Sequence, residues 1–223
     1  MPLPRPARLL RPRRSRATAV PPQSLVRTLD RGTRVLGAVP VDAQGVCWLV
    51  STPAALLTLS ATGSADGAEG TTAPPLPERL TWDRLSRASW DAEERVITLR
   101  LLGEGAERRV QVPAVLRYEV GADARGPLEE VHEVDEVPFL RSLRERVEAM
   151  IVHHVSTTLP SGVRLTASVR RAPDGGLYTV LEPEAHSEGV VRFPDEVEAL
   201  LRRVHDGVGL PTRSDSRGIP PFP

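Results

Sequence analysis

Carboxylates and a histidine gather between Ala114 and Val137, and no other stretch of the sequence is better suited to chemistry. A carboxylate beside an imidazole can hold a metal ion or transfer a proton. No metal-ligand spacing accompanies this group, so a solvated acidic loop, able to receive a basic segment, is the favoured interpretation. Besides His132, the stretch holds seven acids: Glu119, Asp123, Glu129, Glu130, Glu133, Asp135 and Glu136.

Two other candidate groups, a histidine pair and a lone cysteine, have structural explanations. His153 and His154 are adjacent, so they face opposite sides of a strand or diverge by about 100° on a helix. Neither arrangement lets both ligate one metal ion. Cys47 is the only cysteine and excludes a disulfide framework and a cysteine zinc site. It lies in an apolar run and is predicted to be a small buried residue.

Familiar catalytic patterns are missing from the sequence. It has no Gly-x-Ser-x-Gly elbow, no His-Glu-x-x-His and no paired cysteines. Gly63–Gly67 lacks the lysine of a phosphate-binding loop, and Gly103–Gly105 precedes a strand instead of a helix. We therefore expect no enzymatic activity, no cofactor and no metal. An active site assembled from distant residues stays open as an alternative.

Charge is distributed unevenly along the chain. All 29 basic residues are arginine, and the formal net charge is zero. Seven arginines and no acid precede Asp30, which leaves a mildly acidic body. A basic tail of this kind suits nucleic acid or an anionic membrane, although a solvated tail or a misassigned start codon is the favoured interpretation. The candidate anion contacts are Arg5, Arg8, Arg11, Arg13, Arg14 and Arg16.

Composition predicts four segments. Residues 1–28 are rich in arginine and proline and are expected to be a disordered tail. Residues 29–151 and 152–208 carry the apolar patterns of folded chain, and residues 209–223 return to a tail composition. No apolar run is long enough to span a bilayer or form a signal-peptide core. The expected compartment is the cytoplasm.

The stretch from Glu78 to Pro113 has the clearest strand pattern. Alternation and β-branched residues predict an antiparallel meander of three or four short strands. Trp82 and Trp90 are interpreted as core residues, with ligand stacking as the alternative. Together with three apolar segments before it, the region from Thr33 to Pro113 offers seven candidate strands.

Periodicity of about 3.6 residues predicts two helices in the second half. The first begins near Pro138, and the second opens at Phe193-Pro194. Ile151–Thr158 either continues the first helix or forms a strand. Gly162–Arg171 alternates as a half-buried strand that places Arg170 on its polar face, and a turn then leads into a returning strand.

This order resembles that of the PH-like (pleckstrin-homology-like) domain proteins, and most of all the uncharacterised bacterial members of GC-rich genomes. The resemblance covers 29–151 and rests on Leu80-Thr81-Trp82, Ala88-Ser89-Trp90-Asp91, Val96-Ile97-Thr98-Leu99 and Arg144-Glu145-Arg146-Val147. It implies an α+β fold: a mainly antiparallel PH-like split β-barrel with a capping helix, here followed by a small β-hairpin/helix appendage.

Members of this family are mostly binding modules. The resemblance therefore implies a non-catalytic binding or scaffold module that works through protein–protein contacts or self-association. Some members bind inositol lipids through basic residues of the first loop, but Val41–Gly45 has no arginine, so that activity is not carried over. The alternative is an anion-binding module that uses the basic tail for nucleic acid or acidic membrane.

Overall fold

A computed structural model describes residues 17–60, 76–103, 107–123, 126–183 and 187–210. These residues form an α+β fold of four open, mainly antiparallel sheets and three helices, and none of the sheets closes into a barrel. No helix in this part of the chain is long and apolar enough to cross a membrane. The strands are β1 (Ala17–Thr18), β2 (Gly37–Pro40), β3 (Cys47–Ser51), β4 (Ala55–Ser60), β5 (Arg79–Thr81), β6 (Leu85–Asp91), β7 (Val96–Leu101), β8 (Glu107–Gln111), β9 (Val115–Asp123), β10 (Gly126–Glu133), β11 (Ile151–Thr158), β12 (Arg164–Arg171) and β13 (Leu177–Glu182).

The helices are α1 (Gln23–Val26), α2 (Val137–Met150) and α3 (Pro194–Asp206). The described chain falls into two compact units. The first lies within Met1–Arg79, Trp90–Thr98 and Arg109–Arg141, and the second within Leu80–Ser89, Leu99–Arg108 and Ser142–Pro223.

The first unit contains the antiparallel ladders of β2 with β3 and β3 with β4. β3 is buried along its whole length because its residues are almost all apolar. Trp48 is fully buried, and its indole nitrogen donates to the Gly45 carbonyl at 2.8 Å. Cys47 is also buried, so the prediction that both are core residues is confirmed.

The acidic stretch is a β-hairpin of β9 and β10, and the prediction of a solvated loop was wrong. The two strands form an antiparallel ladder with one irregularity between Leu128 and Glu129. Leu116 is fully buried and Val134 nearly so, which anchors the hairpin although many neighbouring residues are charged. Charged side chains fit a strand when they point to solvent, so acidity alone did not exclude one.

β1 adds a parallel strand to this hairpin, beside the end of β10. Residues 17–28, which composition assigns to the tail, thus carry β1 and α1, and Leu25 of α1 is buried. The other predicted segment boundaries stay predictions. The predicted tail after Pro211 and the loop 61–75 lie outside the described residues.

The central stretch forms three consecutive strands in the order β6-β7-β8, as the meander predicted. Its first predicted strand differs, because β5 joins the sheet β2-β3-β4-β5 and is followed by a 3-10 turn at Trp82–Arg84. Trp82 is buried, as expected. Trp90 is only half-buried and lies under the Arg95 guanidinium, 5.6 Å from the ring centroid, so its prediction as a core residue was wrong.

The second unit has its own sheet, in the order β11-β12-β13. The ambiguity over Ile151–Thr158 is resolved, because the helix ends at Met150 and the next eight residues are a strand. Alternate residues of β12 face α3, and each fully buried aliphatic side chain contributes about 1.5–3 kcal/mol to the hydrophobic stabilisation of this core. The core cluster is Leu159, Leu165, Ala167, Val169, Val190, Leu200 and Val204.

The helix α3 begins and ends where the sequence predicts. Pro194 occupies its start, acids lie in the first turn and basic residues in the last, an order that complements the helix dipole. Gly207 ends the helix with a right-handed φ of −63°, so the termination does not use the left-handed conformation that glycine permits.

Candidate functional site

The arginines offered by the sequence as anion contacts cannot be placed. Arg5, Arg8, Arg11, Arg13, Arg14 and Arg16 lie outside the described residues, which begin at Ala17. Their role stays a prediction.

The structure brings one histidine of the acidic hairpin next to a carboxylate. The His132 Nε2 lies 3.0 Å from the Glu130 Oε1, although the two atoms are not aligned for a hydrogen bond. The Tyr118 ring packs edge-on to the imidazole at 5.2 Å. Burial, and next the nearby Asp42 carboxylate, raise the pKa of Tyr118 above 10.0. Among the described residues, no three His, Cys, Asp or Glu side chains converge on a metal position.

The histidines of the second unit are also separated. His153 is half-buried and His154 exposed, on opposite faces of β11 as adjacent strand residues must be. The His205 Nε2 and Thr179 Oγ1 are 2.7 Å apart, which ties the last turn of α3 to β13. These contacts hold the helix on its sheet and do not assemble a reactive group.

Asp42 organises the loop Val41–Gly45. Its Oδ1 accepts the amides of Gln44 and Val46 at 2.9 and 3.0 Å, and its Oδ2 accepts the amide of Cys47. A bound anion would need these same backbone donors. The backbone donors of this loop are therefore occupied by the chain's own carboxylate.

A shallow surface cleft lies in the first unit. One cavity of about 320 Å³ is lined by Arg31, Arg34 and the turn Thr52–Ala54, and an adjoining one of about 330 Å³ reaches Arg79. The Thr52 hydroxyl fixes the turn by bonding the Ala55 carbonyl at 2.7 Å. No buried, unpaired polar atom of the described residues belongs to the lining. The cleft offers surface charge, and the hydroxyl of its buried residue Thr52 is already engaged within the turn.

The most deeply buried charge belongs to the second unit. Arg170, 1% exposed, donates to the Leu85 carbonyl. The Tyr178 hydroxyl donates to the Asp83 carbonyl at 3.0 Å. Burial, in the first place, raises the pKa of Tyr178, against the opposing effect of Arg170. Sequence alternation assigned Arg170 to a polar face, so its burial is a correction. The cluster fixes residues 83–85 on the sheet.

Open sheet edges are the remaining surfaces with unused bonding capacity. An edge strand exposes a row of backbone donors and acceptors, and proteins block such rows with charges, proline or shortness. Apart from β1, whose first residue is also the first one described, six of the seven other edge strands in the described chain are protected in this way: β5 by its length, β2 by Pro40, β6 by Arg87 and Asp91, β8 by Glu107, Arg108 and Arg109, β9 by Arg117, and β13 by Glu182.

β11 is the exception. Its eight residues contain no arginine, acid or proline, and β12 is its only strand neighbour among the described residues. We call the side of Ile151–Thr158 away from β12 the β11 edge. The pairing with β12 is regular from His153 to Thr158, which keeps the strand extended. Val152 is 40% exposed, and His154 is exposed beside it.

Sequence reasoning missed the β11 edge because edge position is a property of the sheet order. The only available signal was the uncharged run Ile151–Thr158, which was equally consistent with a helix. No family model matches the sequence, and no curated protein or solved structure matches the chain.

Proposed function

We propose that this chain is a non-catalytic protein-binding module and that its β11 edge receives an extended strand of a partner protein. The observation that carries the proposal is a strand edge without charge or proline that is regularly paired with β12 over the six residues His153–Thr158. An unprotected edge of this length in a folded protein invites strand addition. Selection against aggregation would introduce a charge there unless the edge had an occupant.

Strand addition uses two sources of affinity. Backbone amides and carbonyls of alternate residues along β11 pair with the partner strand, and side chains of the partner contact those of the sheet face. Val152 and His154 lie on the face opposite to the α3 core and supply an apolar and a polar contact. The partner strand is accordingly mostly uncharged, because an ion buried against this edge would have no counter-ion on β11.

The finer fold assignment belongs to the same proposal. A PH-like split barrel is compatible with an α+β fold of mainly antiparallel sheets. Seven strands, β2 to β8, precede the β9–β10 hairpin and α2, and this order supports the assignment. PH-like family members mostly serve as binding modules, which agrees with a binding surface formed by the backbone of the β11 edge.

The test introduces charge at the edge without disturbing the core. Val152→Lys with His154→Lys replaces two exposed residues by the side chain that natural edges use for protection. Leu177→Lys is the matched control, because Leu177 is 43% exposed on the opposite edge strand, β13. Partners retained from a cell extract are quantified for all three proteins, and light scattering gives their masses.

We expect the double variant to lose the retained partners or the self-association, and the Leu177→Lys protein to keep them. Retention of the same proteins by the double variant would contradict the proposal. A wild-type protein that is monomeric and retains nothing would contradict it as well.

A second candidate function is anion binding through the basic tail, supported by the seven arginines and no acid before Asp30. Binding to DNA, RNA and anionic liposomes across a salt series tests it. The expected result is binding that salt weakens and that replacement of Arg13, Arg14 and Arg16 by serine removes. Binding that changed neither with salt nor with the arginine replacements would count against anion binding by the tail.

A further inference from the structure

The helix α3 lies along β11 and runs in the opposite direction. At the end of the helix, the backbone of Gly207 approaches the His153 ring so closely that a Cβ there would collide with it. At the other end, just beyond β11 and just before α3, the Ser161 hydroxyl donates to the Gly189 carbonyl at 3.0 Å. The helix packs on both β11 and β12. It therefore borders the β11 edge along its length.

One flank of α3 lies on the side of the β11 edge. Four residues at intervals of three, four and four line this flank. We call them the α3 stripe, and they are Glu196, Ala199, Arg203 and Gly207. The approach of Gly207 to His153 directs the stripe toward β11, whereas the contact of His205 with Thr179 directs the opposite flank toward β13.

The charges of the α3 stripe are complementary to those of a second, antiparallel copy. In an interface with twofold symmetry, each residue that contacts a second residue across the axis has that contact returned. An axis at the midpoint of the stripe, beside Ala199, places Glu196 of each helix opposite the partner's Arg203. The ion pair within α3, between Glu198 and Arg202 at 3.6 Å, lies off the stripe.

The same axis also fits the strand. The regular pairing of β11 covers His153–Thr158, and its midpoint is Val155–Ser156. The midpoint of the α3 stripe lies about 11 Å along the helix from Gly207. That distance, counted along β11 from His153, corresponds to about three to four residues and ends near Ser156. One axis can therefore pair two β11 edges antiparallel and bring the two stripes together.

The spacing of the two helices in such a pair is that of packed helices. Each α3 lies over β11 and β12 of its own copy, and neighbouring strands are about 4.8 Å apart. The two helix axes are then separated by about two strand spacings, or roughly 10 Å, which is a usual distance between packed helices. Ala199, which is exposed and small, lets the helices approach at the axis.

We propose that the occupant of the β11 edge is a second copy of this chain, paired antiparallel about a twofold axis, with Glu196 of each copy against the partner's Arg203. The inference rests on the proposed function, because it names the partner of the same edge. β11 itself is the mostly uncharged strand that this edge requires, since it contains no arginine or acid. The sheets β11-β12-β13 of the two copies join into one, with both α3 helices on the same face.

Charge reversal followed by mixing tests the inference in the full-length protein. Glu196→Arg and Arg203→Glu each place like charges opposite one another in a homodimer, but a mixture of the two variants restores opposite charges in a heterodimer. Glu198→Arg is the matched control, because Glu198 is exposed on α3 outside the stripe. Sedimentation equilibrium gives the Kd of each protein and of the mixture, and circular dichroism verifies that the variants are folded.

We expect the wild type and Glu198→Arg to dimerise with similar Kd, and each stripe variant to dimerise at least about tenfold more weakly. The mixture should recover the wild-type Kd, and added salt should reduce the difference between the stripe variants and the wild type. Stripe variants that dimerised as tightly as the wild type, or a mixture that dimerised no more tightly than its components, would overturn the inference.

Two further outcomes separate this inference from the proposed function. A monomeric wild-type protein would overturn the inference alone, provided that other proteins were retained and that Val152→Lys with His154→Lys abolished their retention. A wild-type dimer that survived this double substitution would contradict both, because it would not use the β11 edge.

Discussion

Arg170 donates a hydrogen bond to the backbone carbonyl of Leu85 from a position almost entirely closed to solvent. A buried guanidinium is costly unless its donors are satisfied, and here the Nε has no protein partner among the described residues. The Tyr178 hydroxyl bonds a carbonyl only two residues away, at Asp83. Two side chains of one sheet thus fix the same short segment of backbone.

Arg170→Ala should lower the free energy of unfolding by about 3 kcal/mol, since it leaves a cavity and an unpaired carbonyl. Arg170→Met should cost less, because it fills the volume and removes a buried charge. Urea unfolding measures both. The exposed neighbour Arg171 serves as control, and its alanine variant should change stability by less than about 0.5 kcal/mol. Equal losses at 170 and 171 would show that Arg170 is not a structural anchor.

Stability should fall as pH rises above about 10. Burial raises the pKa of both tyrosines, Tyr118 and Tyr178, above 10.0. The folded chain then keeps phenol protons that the unfolded chain has released, so the stabilisation is complete below pH 10 and is lost as pH rises through the folded pKa. The absence of lysine removes the side-chain amines that would otherwise titrate in this window.

Urea unfolding from about pH 8 to about pH 11 measures the slope, and absorbance near the phenolate band follows the tyrosines directly. Tyr118→Phe and Tyr178→Phe should each reduce the slope of the unfolding free energy against pH. If the variant that carries both substitutions kept the same slope, the loss of stability at alkaline pH would come from other groups.

Gly37→Ala should destabilise the first unit more than Gly32→Ala does. A Cβ at Gly37 would lie 2.5 Å from the Phe139 Cα, a backbone atom that cannot rotate away, and we expect a cost of about 2–3 kcal/mol. Gly32 has open space but a φ of +91°, which costs an alanine roughly 1–2 kcal/mol. Thermal unfolding of the two variants compares the cost of the steric clash at Gly37 with the cost of backbone strain at Gly32. A larger loss of stability for Gly32→Ala would contradict the close approach of Gly37 to Phe139.

Asp42→Ala should cost about 2–3 kcal/mol, because a charged acceptor of three amides is removed and the amides near β3 lose their partner. Asp174→Ala is the matched control, since that carboxylate accepts a single amide, from Gly176 at 2.9 Å in an exposed turn. Its loss should be below about 1 kcal/mol. Chemical denaturation distinguishes the two, and comparable losses would show that the Asp42 bonds are weak.

The regular elements of the second half were predictable because their patterns are local. The apolar spacing of α3 and the alternation of β12 follow from helix and strand geometry, and both elements form where expected. Local pattern also identified β7 and the turn before β13. The sequence alone could not decide whether the helix continues after Met150, because Ile151–Thr158 fits a helix or a strand. Its pairing with β12 makes it a strand.

Elements that depend on distant partners were not predictable. β1 pairs with a strand more than a hundred residues later in the chain, and the acidic hairpin holds its shape through buried residues such as Leu116. Alternation placed Arg170 on a solvated face because sequence does not show that Leu85 covers it. The β11 edge was hidden for the same reason: whether a strand has a second neighbour is decided by topology.

The parallel pairing of β1 with β10 has a consequence for synthesis on the ribosome. Ala17 and Thr18 emerge more than a hundred residues before His132 and Glu133, with which they pair. At about 5–20 residues per second, the start of the chain waits roughly 6–20 seconds for its partner strand. During that interval the backbone of Ala17 and Thr18 has no strand to pair with and bonds to water instead.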